Sequence, residues 1–196
     1  NPTEKILQLS MVFRSADGSK QTRPDIFVDL FEPGLTVVVQ NPEVSVSYGD
    51  PQRSPAFVKL GETVPITVSA IELGTRVSSL TISVDGNEVA QTNTNNLTYN
   101  FAHTNYSVGA HNVKVVGIDT TGSVDSTSFM MFSNSVITDA SLPNGLKHGI
   151  NYTGTTTATL ALYGPYKDFV YLLGDFNDWK VQTNYMLNRH IVNSDS

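Results

Sequence analysis

The sequence has no cysteine among its 196 residues. Disulfide bonds and thiolate metal sites are therefore excluded, because both need cysteine sulfur. Any folded domain of this chain must be held by its apolar core and its hydrogen bonds. Lack of cysteine is common in exported bacterial proteins that fold without disulfides, although it does not by itself fix a compartment.

Charged residues are also scarce, at 15% of the chain, and the net charge is -6. No cluster of Lys and Arg is visible in the sequence, whereas nucleic-acid binding depends on neutralising phosphates with such side chains. No apolar run reaches the roughly 18 residues that a membrane-spanning helix needs. The sequence therefore predicts neither a nucleic-acid partner nor a membrane span.

The chain begins at Asn1, without an initiator Met and without a signal peptide. Such a beginning is typical of a mature or excised segment of a longer protein. We therefore expect the chain to be a piece of a larger polypeptide whose other domains are its neighbours.

The composition favours strands, because Thr, Ser, Asn and Val are plentiful and β-branched side chains suit a pleated sheet. Short alternating segments separated by turns recur every ~8 to 12 residues between residues 36 and 134, which is typical of an immunoglobulin-like sandwich. The predicted strands there are 35–39, 43–48, 63–70, 77–84, 88–92, 97–101, 111–118 and 126–132. We predict an all-β protein with one complete immunoglobulin-like domain at 36–134.

Three features of this middle domain can be assigned from single residues. Leu80, Ile82 and Val84 alternate along one strand and should share its buried face. The sequence Asp85-Gly86-Asn87 predicts a hairpin turn, because these residues accept positive φ angles. Pro65 indicates an edge strand or the start of a strand, since it cannot donate to a sheet.

Both ends of the chain lack the strands that would close a sandwich. Strands are predicted at 6–13 and 26–31, with a turn at Asp17-Gly18, but an isolated hairpin is marginal in water. Residues 1–35 are therefore interpreted as the last strands of a truncated β-sandwich. Residues 135–196 offer strands at 157–163, 169–173 and 185–189, the second being a continuous apolar run expected to be covered on both faces. These residues are interpreted as a second truncated domain, so that the immunoglobulin-like domains stand in tandem.

The most specific motif is Gly174-Asp175-Phe176-Asn177-Asp178-Trp179, which follows the apolar run Val170-Tyr171-Leu172-Leu173. With Gly149-Ile150-Asn151-Tyr152, residues 157–165 and Met186-Leu187-Asn188-Arg189, it resembles the N-terminal early-set domain of amylase-superfamily enzymes. That domain is related to the carbohydrate-binding modules of branching enzymes, pullulanases and the glycogen-binding subunit of AMP-activated kinase. Residues 12–28 resemble the end of a starch-binding module, and residues 65–118 are similar to bacterial immunoglobulin-like repeats.

This resemblance implies a carbohydrate site at Trp179, Asn177 and Lys180. The matching Trp of the related modules stacks on a sugar ring, since a flat aromatic face fits the apolar face of glucose. In the same resemblance, Asn177 and Lys180 would supply hydrogen bonds to hydroxyls. The alternative is that Trp179 packs against a neighbouring domain and that Asn177 and Lys180 are ordinary turn residues.

No catalytic, metal or cofactor site is predicted. The four histidines lie far apart in sequence without metal-binding spacing, and no nucleophile elbow or phosphate loop occurs. Asp119 and Asp125 flank a Thr-Thr-Gly turn and are better interpreted as turn caps than as calcium ligands. Asp175 and Asp178 lie in one short turn, so they are not interpreted as a glycosidase carboxylate pair.

The order of modules resembles the region that precedes the catalytic barrel of large secreted α-amylases. The resemblance implies a non-catalytic accessory and spacer region of a secreted, extracellular or cell-surface α-glucan hydrolase, with weak binding of α-glucan. The alternative is a stalk or scaffold fragment of a cell-surface adhesion protein.

Overall fold

The structure, a computed structural model, describes residues 8–23, 25–29, 34–44 and 55–190. In these ranges the chain forms strands joined by turns, with three short 3-10 turns and no α-helix. The strands are β1 (Gln8–Met11), β2 (Ile26–Asp29), β3 (Gly34–Asn41), β4 (Ala56–Val58), β5 (Thr63–Leu73), β6 (Val77–Val84), β7 (Asn87–Thr92), β8 (Asn96–Ala102), β9 (Gly109–Asp119), β10 (Val124–Ser133), β11 (Gly149–Tyr152) and β12 (Ala158–Ala161). The prediction of an all-β, immunoglobulin-like protein is confirmed.

Strands β3 to β10 form a sandwich of two sheets. One sheet has the order β4-β10-β9-β6-β7 and the other the order β3-β5-β8. The chain leaves the smaller sheet after β5, makes the β6–β7 hairpin in the larger sheet, and returns with β8 to pair with β5. All pairs are antiparallel except that of β4 with the end of β10. This exchange of strands between two sheets is the connectivity expected of an immunoglobulin-like sandwich.

The core lies between the two sheets and follows the period of two along each strand. Leu80, Ile82 and Val84 are at most 2% exposed, as their alternation predicted. The buried apolar side chains are Val37, Val58, Ile66, Val68, Ala70, Val77, Leu80, Ile82, Val84, Phe101, Val113, Val115, Phe129, Met131 and Phe132. All of them belong to β3–β10, so the described core belongs to the sandwich.

The predicted hairpin turn joins β6 to β7. Asp85 has a φ angle of +50° and Gly86 one of +82°, which are the left-handed angles of a primed two-residue turn. The carboxylate of Asp85 also accepts a hydrogen bond from the backbone N–H of Asn112, at 2.8 Å, and lies 2.7 Å from Nδ1 of His111. The turn is thus attached to the neighbouring strand β9 as well as to its own hairpin.

His111 closes the corner between β8 and β9. Its ring is 5% exposed, and its Nε2 lies 2.7 Å from the carbonyl oxygen of Ser107, four residues upstream. In antibody-type domains a Tyr near the start of the equivalent strand bonds to upstream backbone and fixes this corner. His111 performs that task here, packed against the ring of Tyr106 at 5.2 Å.

Three predictions in the sandwich need correction. Strand β4 was missed, because a three-residue strand is too short to show a period. The predicted strand at 43–48 is absent at residues 43 and 44, and its remainder lies outside the described residues. Pro65 lies near the start of β5, as one of the two interpretations held, but β5 is the central strand of its sheet rather than an edge.

The C-terminal part, residues 135–190, differs more from its predicted structure than the sandwich does. Residues 169–173 form no strand but make one bridge, Tyr171 to Met186, and Leu173 is 39% exposed. The idea of a strand covered on both faces was therefore wrong. The strand predicted at 157–163 is the shorter β12, which pairs with the unpredicted β11, and only single bridges occur in 185–189.

The N-terminal hairpin pairs β1 with β2 in antiparallel register, and Gly18 has a φ angle of +70° in the predicted turn. Its apolar side chains are exposed: Leu9 is 44% and Phe13 61% exposed. Leu7 and residues 30–31, which belong to the two predicted strands, lie outside the described residues. The assignment of residues 1–35 to a truncated sandwich therefore stays a prediction. Among the described residues there is no helix long and apolar enough to cross a membrane.

Replacing Gly117 with Ala should destabilise the sandwich. A Cβ atom on Gly117 of β9 would lie 2.8 Å from side-chain atoms of both Leu35 and Val37 across the core. Overpacking of this kind costs about 1–3 kcal/mol, which a urea unfolding curve would measure. Gly164→Ala is the matched control, because its new Cβ would meet only Lys167, at 3.7 Å. Equal midpoints for both variants would contradict the packing described for β9.

Asp85 should make the stability depend on pH below about 4. Burial raises the pKa of Asp85, but hydrogen bonds with His111 and the backbone of Asn112 outweigh it and leave this pKa lowered. A lowered folded-state pKa stabilises the fold above the unfolded value of about 3.9, and this contribution is lost as the pH falls through the folded value. Asp85→Asn, which keeps a residue tolerant of positive φ, should therefore be less stable than the wild type at pH 6. The difference should shrink as the pH falls below about 4, and a difference that is constant with pH would contradict this assignment.

Candidate functional site

The predicted sugar-binding residues lie together in residues 174–180, here called the Trp179 turn. A 3-10 turn at Asp175–Asn177 begins it, and Asp178 and Trp179 follow with φ angles of +52° and +56°. The backbone N–H of Trp179 donates to the carbonyl oxygen of Gly174 at 3.0 Å and closes the turn. A Cβ on Gly174 would meet the ring of Phe176, so a larger residue there would displace this exposed ring.

Asn177 holds this turn from within. Its side chain is 4% exposed, its Oδ1 accepts a hydrogen bond from the backbone of Gly174 at 2.9 Å, and its Nδ2 donates to the carbonyl oxygen of Leu172 at 2.9 Å. A direct hydrogen bond from Asn177 to a sugar would require these bonds to be released. The structure thus gives Asn177 the task of shaping the turn that presents Trp179.

Trp179 is on the surface, with 67% of the residue exposed. Its indole Nε1 donates to Oδ1 of Asp175 at 2.7 Å, which restricts the orientation of the ring. Lys180 is exposed beside it. The rings of Phe176 and Tyr185 are 5.1 Å apart in the same region, and Phe176 is 56% exposed. The turn therefore presents a partly fixed indole, and it also contains Phe176, whose ring packs against Tyr185.

The carboxylates that could suggest metal binding accept hydrogen bonds from other groups of the protein. Asp119 accepts hydrogen bonds from the backbone N–H groups of Thr121 and Ser123, at 2.8 and 2.9 Å, and from the hydroxyl of Thr75. Asp125 accepts one from the backbone of Val37 at 2.7 Å. The capping interpretation agrees with the bonds of Asp119 to Thr121 and Ser123. It is wrong for Asp125, which lies in β10 and binds the backbone of β3 instead. Within the part of the chain that the structure describes, no group of three or more metal-ligand side chains occurs.

An aromatic cluster connects the sandwich to the C-terminal part, and we call it the joint. It consists of Phe57 from β4, Phe132 from β10, and Phe169 and Tyr171 from the C-terminal part. Their ring centroids are 4.9–5.8 Å apart, and Phe57 and Tyr171 are stacked with an interplanar angle of 17°. Such pairs are worth about 0.5–1.5 kcal/mol each beyond the area they bury.

Polar contacts surround the joint. The hydroxyl of Tyr171 donates to Oδ1 of Asn134 at 3.1 Å, and Asn134 is itself 4% exposed. Lys59 next to β4 pairs with Asp168 in the C-terminal part. The hydrogen bond from Lys59 holds the pKa of Asp168 below its usual value and raises the pKa of Lys59. Both side chains of this pair are more than half exposed. The pair therefore contributes little to the free energy of unfolding.

The joint could not be predicted from the sequence, because the apolar run at 169–173 is also typical of a buried strand. The available signal was the alternation of Phe169 and Tyr171, which places two aromatic rings on one side of an extended chain. The partner Phe57 lies in a segment too short to be recognised as a strand.

Residues 42–115 match the family model of the bacterial Ig domain. The sandwich extends beyond this range at both ends, since all of β3 and all of β10 lie outside it. Among solved structures, the chain is similar to the fibronectin(III)-like modules of CbhA from Clostridium thermocellum, at 19% identity and a TM-score of 0.35 over 50% of this chain and 94% of that one. No curated protein matches its sequence. Bacterial Ig domains often occur in extracellular or surface proteins and are typically non-catalytic.

Asn177→Ala should loosen the Trp179 turn. The substitution removes two hydrogen bonds inside the turn, each worth about 0.5–1.5 kcal/mol, and releases the backbone that orients the indole. The fluorescence of Trp179, the sole Trp of the chain, should shift and become more accessible to iodide quenching. Asn184→Ala is the control, because Asn184 is exposed in a nearby 3-10 turn. Unchanged quenching in Asn177→Ala would show that its amide does not hold the turn.

Proposed function

We propose that the chain is a non-catalytic spacer region of a larger secreted bacterial protein, and that its Ig-like domain holds the following segment in a defined orientation. The joint carries this proposal. Contacts between domains of one chain are usually small enough to allow relative motion. Four aromatic side chains, a Tyr171–Asn134 hydrogen bond and an ion pair at one junction oppose such motion.

The parent protein is proposed to be an α-glucan hydrolase. This rests on the resemblance of residues 145–189 to the early-set domain of amylase-superfamily enzymes. An adhesion stalk is equally compatible with the match to the bacterial Ig domain. Retention of the purified chain on insoluble starch distinguishes the two, since a stalk has no reason to bind starch.

The exposed indole of Trp179 favours a weak α-glucan site as part of this function. One face would cover about 50 Å² of sugar, which at about 25 cal/mol per Å² corresponds to roughly 1 kcal/mol. A millimolar site needs about 4 kcal/mol. Because Asn177 is engaged inside the turn, the remainder must come from Lys180, from the Phe176–Tyr185 pair, or from residues outside this turn. We therefore expect millimolar or weaker binding.

Titration with maltoheptaose should change the fluorescence of Trp179 in the millimolar range. Trp179→Ala should abolish binding measured by saturation-transfer NMR. Tyr166→Ala, which removes a fully exposed aromatic ring elsewhere in the C-terminal part, should bind as the wild type does. Fluorescence that stays constant to high millimolar maltoheptaose, with no NMR saturation transfer, would contradict a glucan site at this turn.

The spacer proposal is tested by breaking the joint. In Tyr171→Ala the stacked ring and its bond to Asn134 are lost, so residues 135–190 should be cleaved by a protease at least several-fold faster. Residues of the sandwich should stay resistant, because their core is separate. Tyr163→Ala, at a residue 79% exposed, is the matched control and should digest like the wild type. Equal digestion of Tyr171→Ala and the wild type would contradict a rigid joint.

A further inference from the structure

A cleft of about 380 Å³ lies beside the joint, between the sandwich and the C-terminal part. Lys59 and Asn134 line it from the sandwich, and Lys167, Phe169 and Arg189 line it from the other side. Its volume lies within the range of small-molecule sites, which begins at about 300 Å³. The Trp179 turn does not contribute to its lining.

Positive charge converges on this cleft in a chain whose net charge is -6. Three of its lining side chains are cationic and one, Asp168, is a carboxylate. Lys59 is paired with Asp168, and Arg189 is paired with Asp139, 2.8 Å away. Lys167 has no ion-pair partner among the described residues, so these residues leave one positive charge of the cleft uncompensated.

Asn134 lines the cleft and brings a side-chain amide to it. Asn134 is 4% exposed, and its Oδ1 accepts a hydrogen bond from the hydroxyl of Tyr171. No described residue accepts a hydrogen bond from its Nδ2 amide group, although Asn134 lines the cleft. Among the described residues only Ser133 Oγ is a fully buried side-chain polar atom without a partner. The Nδ2 group of Asn134 is therefore accessible from the cleft and free to donate to an acceptor atom of a ligand.

Apolar surface completes the lining. Phe169 contributes one wall, held by its contact with Phe57 at 4.9 Å, and Leu60 and Ile137 contribute others. An aromatic wall facing a few polar groups suits a ring with one apolar face and hydroxyl groups at its edge.

We infer that this cleft binds a monosaccharide-sized sugar acid, with its carboxylate at Lys167, a hydroxyl at the Asn134 amide and its ring against Phe169. A single uncompensated cation matches the single charge of a carboxylate. A doubly charged phosphate would leave excess negative charge beside Asp168. Because the ligand touches both parts of the chain, its binding also stabilises the joint.

The test is a titration with D-glucuronate, followed by chemical-shift changes of the backbone amides of Asn134 and Phe169. Binding should be in the millimolar range and should weaken as salt is raised, since part of it is electrostatic. D-Glucose, the neutral counterpart, should bind at least five-fold more weakly. Equal chemical-shift changes with both sugars would overturn the inference. So would the absence of any change at D-glucuronate concentrations up to 50 times the expected millimolar dissociation constant.

Lys167→Met keeps the length of an exposed side chain and removes its charge, and it should weaken D-glucuronate binding at least five-fold. Lys114→Met, at an exposed position of β9, is the control and should bind as the wild type does. Trp179→Ala should also bind normally, so failure of the α-glucan site and failure of this site are distinguishable. Wild-type affinity in Lys167→Met would overturn the assignment of the carboxylate.

Discussion

The contact of Phe169 and Tyr171 with Phe57 and Phe132 is the interaction on which the C-terminal part of the chain depends. None of the buried apolar core residues lies in 135–190. Strands β11 and β12 form only a two-stranded sheet, and such a hairpin is marginal in water unless it packs on something. The fold of this part must therefore be stabilised by its contacts with the sandwich at the joint.

Asn134 connects the joint to the sandwich. Its backbone N–H donates to Val58 at 2.9 Å, its carbonyl oxygen lies 2.7 Å from Nε2 of the buried His103, and its side chain accepts from Tyr171. One residue at the end of β10 thus contacts β4, the corner after β8, and the C-terminal part. Asn134 thus links the two parts of the chain by hydrogen bonds, in a protein that has no cysteine to form a disulfide.

The sandwich could be predicted from the sequence because its strands have one buried and one exposed face. Leu80, Ile82 and Val84 show that alternation, and Asp85-Gly86 has the residues that a primed turn demands. Residues 169–173 could not be assigned in the same way, since an apolar run also occurs where aromatic rings dock on another domain. The Trp179 turn could be predicted from its amino-acid sequence. The inward orientation of Asn177 could not be predicted, because a turn amide can bond to backbone as readily as to a ligand.

The central claim is that the Ig-like domain and the C-terminal part are held in one orientation. The chain has no native cysteine, so two spin labels can be placed specifically with Lys114→Cys and Tyr163→Cys, both at exposed positions. Double electron–electron resonance between them measures the distribution of distances across the joint. We predict one narrow distribution, which broadens when Tyr171→Ala is added. A distribution in the parent pair already as broad as in the Tyr171→Ala variant would contradict the claim.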